Sequence, residues 1–417
     1  MKVALVCHSD LLGGASVVTY RLMQALRHRG VDARMIVYSR LSDDDNVILV
    51  GSRFVRGIKF MTERLKIFLS NGLKYDNLFK VSIANTGYPL HLHPWVKEAD
   101  VVALNWVNQG LMSLKGVESL ASTGKPIVWT MHDMWNCTGI CHHAYECPRY
   151  EDECGMCPLL GAVKENDLSR KVWFKKKALY DKVPIHFVAV SNWLAGQCAK
   201  SGLLSGRDVR VIPNAFPVDT FSTELSGDSP MLNIDFNRDL IVMGAARLDD
   251  PIKGLDYAID ALNFIFDNNP AVAKKTTAVF FGDMRNSAAF DRLRFPYTWV
   301  GRINDPTTVR GLYAAAKVVL STSLYETLPG TLIEGQAAGC LPVTFGRGGQ
   351  SDIVTHLKDG YIAEYKSVED IAKGLCWALA QEPDKKALHE SVRERFASSE
   401  VARRYIELFD EITNSKK

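Results

Sequence analysis

The chain has 417 residues, 47% of them hydrophobic and 23% charged, with 50 Lys and Arg against 47 Asp and Glu for a net charge of +3. That length is too great for one ordinary core and suits two domains of about 200 residues each, and the composition excludes the disordered, collagen-like and coiled-coil classes. The near-balance of charge gives no reason to expect a nucleic-acid partner, and no apolar run approaches the roughly 20 residues that span a bilayer. The apolar start, Val3 to Val6, is too short for a signal peptide, so a cytoplasmic location is expected.

Val- and Ile-rich runs alternate with helical periodicity along almost the whole chain, the pattern of an α/β protein whose parallel sheets are covered on both faces. The first series opens with a strand at 2–7, a turn at Gly13-Gly14 and a helix over 15–29 whose Val18, Leu22, Ala25 and Leu26 share one face. Further strands are predicted at 33–38, 100–104, 126–131, 185–190 and 209–212, and a second series at 240–244, 278–281, 298–300, 318–321 and 342–345. Residues 215–238, rich in Ser, Pro, Asp and Asn, read as a linker between an N-terminal Rossmann-like domain (1–214) and a C-terminal one (239–395). A charged helix is predicted over roughly 387–412, with 396–417 expected to pack back on the N-terminal domain. Two doubly wound domains facing across a cleft bind ligands beyond the carboxyl ends of their strands.

The loops at those strand ends carry the chemistry. Between Ser321 and Gly339 a strand ends, a loop bears Glu326, Pro329 and Gly330 open a helix, and Glu334 lies one turn inside it. Pro at a helix start loses no hydrogen bond, and the amides of Gly330, Thr331 and Leu332 are expected to point out of the helix end, where an anion belongs. Arg247 and Lys253 follow a strand of the same domain. A helix terminus contributes only about 0.3 to 1 kcal/mol to an exposed anion, so a diphosphate needs such cations as well.

These segments resemble the retaining glycosyltransferases of family four, with the GT-B fold. The family's Glu-x7-Glu motif matches Glu326 and Glu334, and its Arg and Lys pair matches Arg247 and Lys253. The resemblance implies that Glu326 contacts the transferred sugar, that Glu334 holds the ribose hydroxyls, and that Arg247 with Lys253 grips the diphosphate. It also implies donor contacts from Gly14, Ile303, Leu328, Gly330, Thr331 and Leu332. Trp299 to Ile303 resembles the base-binding strand and loop, and Gly348-Gly349 with Asp352 resembles the family's Gly-Gly-x-x-Glu element, Asp replacing Glu. Gly13-Gly14-Ala15-Ser16 resembles its Gly-rich loop. His132, in Trp129-Thr130-Met131-His132-Asp133, matches a histidine that lies against the donor sugar, and Ser191-Asn192-Trp193 and Ile212-Pro213-Asn214-Ala215 match the signature where the first domain ends.

The implied reaction is retaining transfer of a sugar from a UDP- or GDP-linked donor to a glycan or polyprenyl-linked acceptor, in capsular, O-antigen or exopolysaccharide biosynthesis. His132 and Glu326 are the expected catalytic residues. No catalytic metal is expected, and Asp43-Asp44-Asp45 reads as a polar loop rather than a metal site. The rivals are a nucleotide-sugar epimerase or hydrolase on the same fold, and a Cys-rich non-catalytic binding protein. A dehydrogenase is disfavoured because the dinucleotide fingerprint is missing.

Five of the nine cysteines fall between Cys137 and Cys157, in an insertion at about 136–160. Structural zinc at Cys141, Cys147, Cys154 and Cys157 is expected, with buried free thiols, a disulfide pair or an iron cluster as alternatives. From Arg53 to Lys80 there are seven basic and two acidic residues interleaved with apolar ones, and a second basic run spans Arg170 to Lys177. These read either as solvated helix faces or as peripheral docking on an anionic membrane surface at the inner face of the cell membrane.

Overall fold

The computed structural model describes residues 1–161, 164–221, 223 and 234–414. The chain divides into two compact units, Met1–Ala215 with Ser398–Lys417, and Phe216–Ala397.

The first unit holds strands β1 (Lys2–Ser9), β2 (Asp32–Ser39), β3 (Val47–Leu49), β4 (Val101–Leu104), β5 (Ile127–Met131), β6 (Ile185–Ala189) and β7 (Val209–Val211). Their order is β3-β2-β1-β4-β5-β6-β7, parallel throughout. Every residue of β4 and β5 is buried, as expected where helices cover both faces and strands read as unbroken apolar runs. The order reverses between β1 and β4, which sets a switch point beside the loop that follows β1.

The second unit holds β8 (Asp239–Arg247), β9 (Thr276–Asp283), β10 (Tyr297–Trp299), β11 (Val318–Ser321), β12 (Leu341–Phe345) and β13 (Tyr361–Ala363). Their order is β10-β9-β8-β11-β12-β13, again all parallel, with the switch point between β8 and β11. The edge strands β3 and β13 were not anticipated from the sequence. Each is three residues long, as are β7 and β10, which the sequence does mark.

The single helix predicted over 387–412 is two helices, Lys385–Phe396 and Ser398–Asn414, in different units. Ala397 breaks them with an extended ψ of 138°, and the Phe216 N–H donates to the Phe396 carbonyl at 2.9 Å. Helical periodicity runs through both, and the first ends where the Phe216 N–H donates to the Phe396 carbonyl and Ala397 turns extended. The second helix buries Val401, Tyr405, Leu408, Phe409 and Ile412 in the core that holds Leu22 and Leu26. Its Tyr405 hydroxyl meets the buried Thr130 hydroxyl at 2.9 Å.

The stretch read as a linker belongs to the second unit from Phe216 on: Val218 is buried in the short turn Val218–Thr220, which packs on the helix Lys385–Phe396. Residues 222 and 224–233 of that reading lie outside the described residues. Among the described residues no helix is long and apolar enough to cross a membrane.

Candidate functional site

In the second unit, β8 and β11 end side by side at the switch point, and the chain leaving each is fixed by backbone fit. Gly254 sits at φ +63°, and a Cβ there would stand 2.2 Å from the Thr322 carbonyl oxygen. The Thr322 hydroxyl donates to the Gly254 carbonyl at 2.9 Å. On the other side the Gly349 N–H donates to the Glu326 carbonyl at 2.9 Å. A side chain at Gly349 would meet the Thr327 carbonyl at 1.9 Å. The two loops therefore hold Lys253 and Glu326 from opposite sides.

They enclose a cavity of about 130 Å³ lined by Lys253, Glu326, Gly330 and Thr331, with Ser321, Ser323 and Gly244 to Ala246. Lys253 Nζ lies 2.5 Å from Glu326 Oε1. Burial alone would pull the Lys253 ammonium down, but the Glu326 carboxylate outweighs it and holds the group above its ordinary value. The helix Gly330–Ala337 starts at Pro329, which has no N–H, so the Gly330 and Thr331 ends of the helix face the cavity. A cation, a carboxylate and a helix N-terminus around one small cavity can hold an anion and the polar group attached to it.

The remaining predicted residues of this unit stand apart from the cavity lining. Arg247 turns to Asp249 and Asp250, at 3.4 and 3.1 Å. The Leu332 N–H, expected to point outward, donates to the Pro329 carbonyl at 3.3 Å, and its side chain is buried. Leu328 is buried, Glu334 is half-buried one turn inside the helix, and Ile303 is half-buried in the loop after β10.

In the first unit, His132 follows β5 and its Nε2 lies 3.0 Å from Asn105 Oδ1 at the end of β4. Asn214 also reaches the ring, and burial pushes the imidazole down to about 4, so it is neutral at pH 7. Its neighbour Asp133 accepts from Trp106 Nε1 at 2.9 Å, from His142 Nδ1 at 2.7 Å and from the Trp135 N–H at 2.8 Å. Burial would raise this carboxyl, but the His142 ring outweighs it and holds the group down to about 2. His142 Nε2 continues to Ser82 Oγ at 3.0 Å. This Ser-His-Asp series is not a nucleophilic triad: Ser82 is fully buried and takes a hydrogen bond from Arg64 Nη2 at 3.4 Å. It orients Asp133 and the turn after His132. Gly14 starts the helix Gly14–His28 on an exposed loop, and Asp10 braces that loop by accepting from the N–H groups of Leu11, Leu41 and Ser42. Asp44 caps its own turn through Asn46 and takes the Tyr20 hydroxyl.

The cysteines divide. Cys137 lies 3.1 Å from Cys198, sulfur to sulfur, whereas Cys141, Cys147, Cys154 and Cys157 all line one cavity of about 560 Å³. Among the described residues no three His, Cys, Asp or Glu side chains are gathered closely enough to hold an ion as they stand.

Ser323 and Asn105 were not singled out from the sequence, and Ser321 was marked only as a strand end. Asn214 sits in a motif already marked at 212–215, and Asn105 is the first polar residue after an apolar strand, a position that faces ligands in such sheets.

A profile of Glycosyl transferases group 1 matches residues 235–395, and one of Glycosyltransferase Family 4 matches residues 12–220. A glycogen synthase of Mycoplasma mobile is 26% identical over 195 residues, 42% of this chain and 39% of that protein. An uncharacterised glycosyltransferase of Methanocaldococcus jannaschii is 25% identical over 259 residues, 59% of this chain and 63% of that one. The chain thus spans less than two thirds of each curated relative. The crystal structure of Anabaena HepE in complex with UDP and glucose superposes with a TM-score of 0.63 at 16% identity, over 98% of this chain and 99% of that one.

Proposed function

The chain belongs to Glycosyltransferase Family 4 and has the GT-B fold, and from that premise we propose that it transfers a sugar, with retention, from a nucleoside diphosphate to a glycan or polyprenyl-linked acceptor. The observation that carries this reading is the cavity where Lys253, Glu326 and the Gly330 end of a helix meet. The diphosphate takes the helix end and Lys253. Glu326, released from part of its ion pair, turns its carboxylate to the sugar hydroxyls.

In the proposed reaction the bond from the anomeric carbon to the diphosphate oxygen breaks as the acceptor oxygen bonds to the same face of that carbon. The acceptor's proton passes to the departing diphosphate oxygen. Positive charge fixed at the leaving group is the main lever for an oxocarbenium-like transition state, and Lys253 with the helix dipole supplies it without a catalytic metal. With its carboxylate engaged by the sugar hydroxyls, Glu326 is not assigned the nucleophile's place, which leaves same-face attack without a covalent intermediate. His132, held by Asn105 within the first unit and neutral at pH 7, is not asked to move a proton.

The acceptor side of the proposal rests on the helix Arg53–Ser70, whose polarity is inverted. It buries Glu63, Arg64 and Ile67, and Glu63 Oε1 accepts from the Ile83 and Ala84 N–H groups at 2.7 and 3.1 Å. Phe54, Ile58, Met61, Leu65 and Leu69 share the opposite face and are exposed, Phe54 at 77%. Near its end a groove of about 680 Å³ is lined by Lys66, Lys115, Lys171, Lys175 and Lys182, with Glu118 among them. An apolar face beside clustered lysines fits the anionic surface of a bilayer that carries a lipid-linked acceptor, at about 1 kcal/mol per basic residue.

Thermal-shift screening against UDP, GDP, ADP and their sugars, followed by mass spectrometry of acceptor products, tests the reading. Stabilisation by one base and its sugar, with product on an acceptor, is expected. Epimerised or hydrolysed donor with no acceptor product would replace transfer by the rival activity.

A further inference from the structure

We propose that Cys141, Cys147, Cys154 and Cys157 bind one zinc ion as a structural tetrathiolate site, with the ammonium of Lys176 as its buried counter-charge. The four thiols come from a segment whose only regular element is the short turn Arg149–Glu151, and they line a single cavity. Cys137, adjacent in sequence, is engaged with Cys198 instead.

Two features beyond the cysteines point to an anionic centre. Polar hydrogens are aimed at two of the sulfurs: the Gly139 N–H donates to Cys154 Sγ at 3.2 Å, and the Leu159 N–H faces Cys157. A neutral thiol gains little from such donors, whereas a metal-bound thiolate is held and tuned by them. Lys176 is fully buried, and its Nζ rests on the carbonyls of Trp135 and Thr138 at 2.5 and 3.0 Å and over the Trp135 ring at 3.3 Å. No carboxylate pairs with it among the described residues. Asp133 acts on it only from beyond ion-pair distance, and an amine buried this way keeps its charge only beside negative charge. Lys80 and Arg149 add positive charge at the cavity wall, set against Glu146 in the same wall and the Asp167 carboxylate near Cys154 and Cys157.

Zinc displaces one proton from each of the four thiols, so two positive charges enter as four negative ones form, and the centre carries a charge of about −2. Lys176 offsets part of it. The thiols must turn inward for capture, since no three now stand at ion-binding distance among the described residues. Once bound, the ion ties an insertion poor in helix and strand to the turn after Asp133.

The full chain, purified under reducing conditions without added metal, is expected to carry about one zinc per chain by mass spectrometry. The Cys154→Ser/Cys157→Ser pair is expected to retain less than about a fifth of that, with circular dichroism checking its fold. Should that variant not fold, the wild-type chain decides. Titrating its thiols with a mercurial in the presence of a zinc indicator should release the zinc, and cobalt exchange should give the thiolate charge-transfer and tetrahedral bands of a four-sulfur site. Lys176→Met is expected to weaken zinc retention about 10-fold or more. Far less than one zinc per chain, iron with inorganic sulfide in its place, or zinc retained in full by the double variant would overturn the proposal.

Discussion

Lys253 Nζ and Glu326 Oε1 are 2.5 Å apart although 73 residues separate them in sequence. The parallel order of β8 beside β11 makes that meeting possible, because both strands end at one sheet edge where the order reverses. A loop cation and a loop carboxylate that would each be solvated alone become the centre of the site.

Replacing Lys253 separates binding from turnover. Lys253→Ala and Glu334→Ala are expected to weaken nucleoside diphosphate affinity, the first by about 10- to 100-fold for loss of one charged hydrogen bond. Glu326→Ala should chiefly lower kcat. Calorimetric titration with steady-state kinetics checks the division, and unchanged affinity in both of the first two variants would place the nucleotide elsewhere.

Acid should destabilise the chain before ordinary carboxylates titrate. His132 and His8 are both pushed down to about 4 by burial. The unfolded chain binds these protons near pH 6.5 while the folded chain refuses them, so stability present above pH 6.5 is lost as the pH falls toward 4. Melting temperature against pH should decline through that window. His132→Gln should flatten the decline, and an identical profile in the variant would contradict the assignment.

Gly349→Ala places a Cβ 1.9 Å from the Thr327 carbonyl and must displace the loop that presents Glu326. A loss of about 1 to 3 kcal/mol in unfolding free energy is expected, with a fall in kcat. A denaturation midpoint and turnover equal to wild type would show that the loop does not depend on this close approach.

The inverted helix Arg53–Ser70 makes a prediction that stability does not confound, since its apolar face is already in water. Phe54→Ser/Ile58→Ser/Leu65→Ser should leave the melting temperature within a few degrees and reduce sedimentation with phosphatidylglycerol vesicles about 10-fold or more. Equal binding of wild type and variant, or no preference for anionic over zwitterionic vesicles, would remove the membrane from the account.

Tyr405→Phe deletes the hydroxyl that meets Thr130 and leaves that buried group without its partner. The expected cost is about 1 kcal/mol. Urea unfolding measures it, and an unchanged midpoint would mean that the helix Ser398–Asn414 is held by apolar packing alone.

Most of the strand plan was legible because parallel strands buried on both faces are unbroken apolar runs, as in Val101 to Leu104. The predicted site residues were legible only as types at suggestive spacings. Pairing could not be read there: Arg247 and Lys253 look alike in sequence, yet Asp249 and Asp250 hold the first while Glu326 holds the second. The break at Ala397 was invisible for a related reason. Helical period continues through it, and the backbone bond from Phe216 at the end of the first helix spans 180 residues of chain.

The most direct measurement is a crystal structure of the full chain with a nucleoside diphosphate. The β-phosphate is expected against the N–H groups of Gly330 and Thr331 with Lys253 Nζ in hydrogen-bonding reach. A nucleotide bound away from that helix end, with Lys253 still paired only to Glu326, would contradict the account at its base.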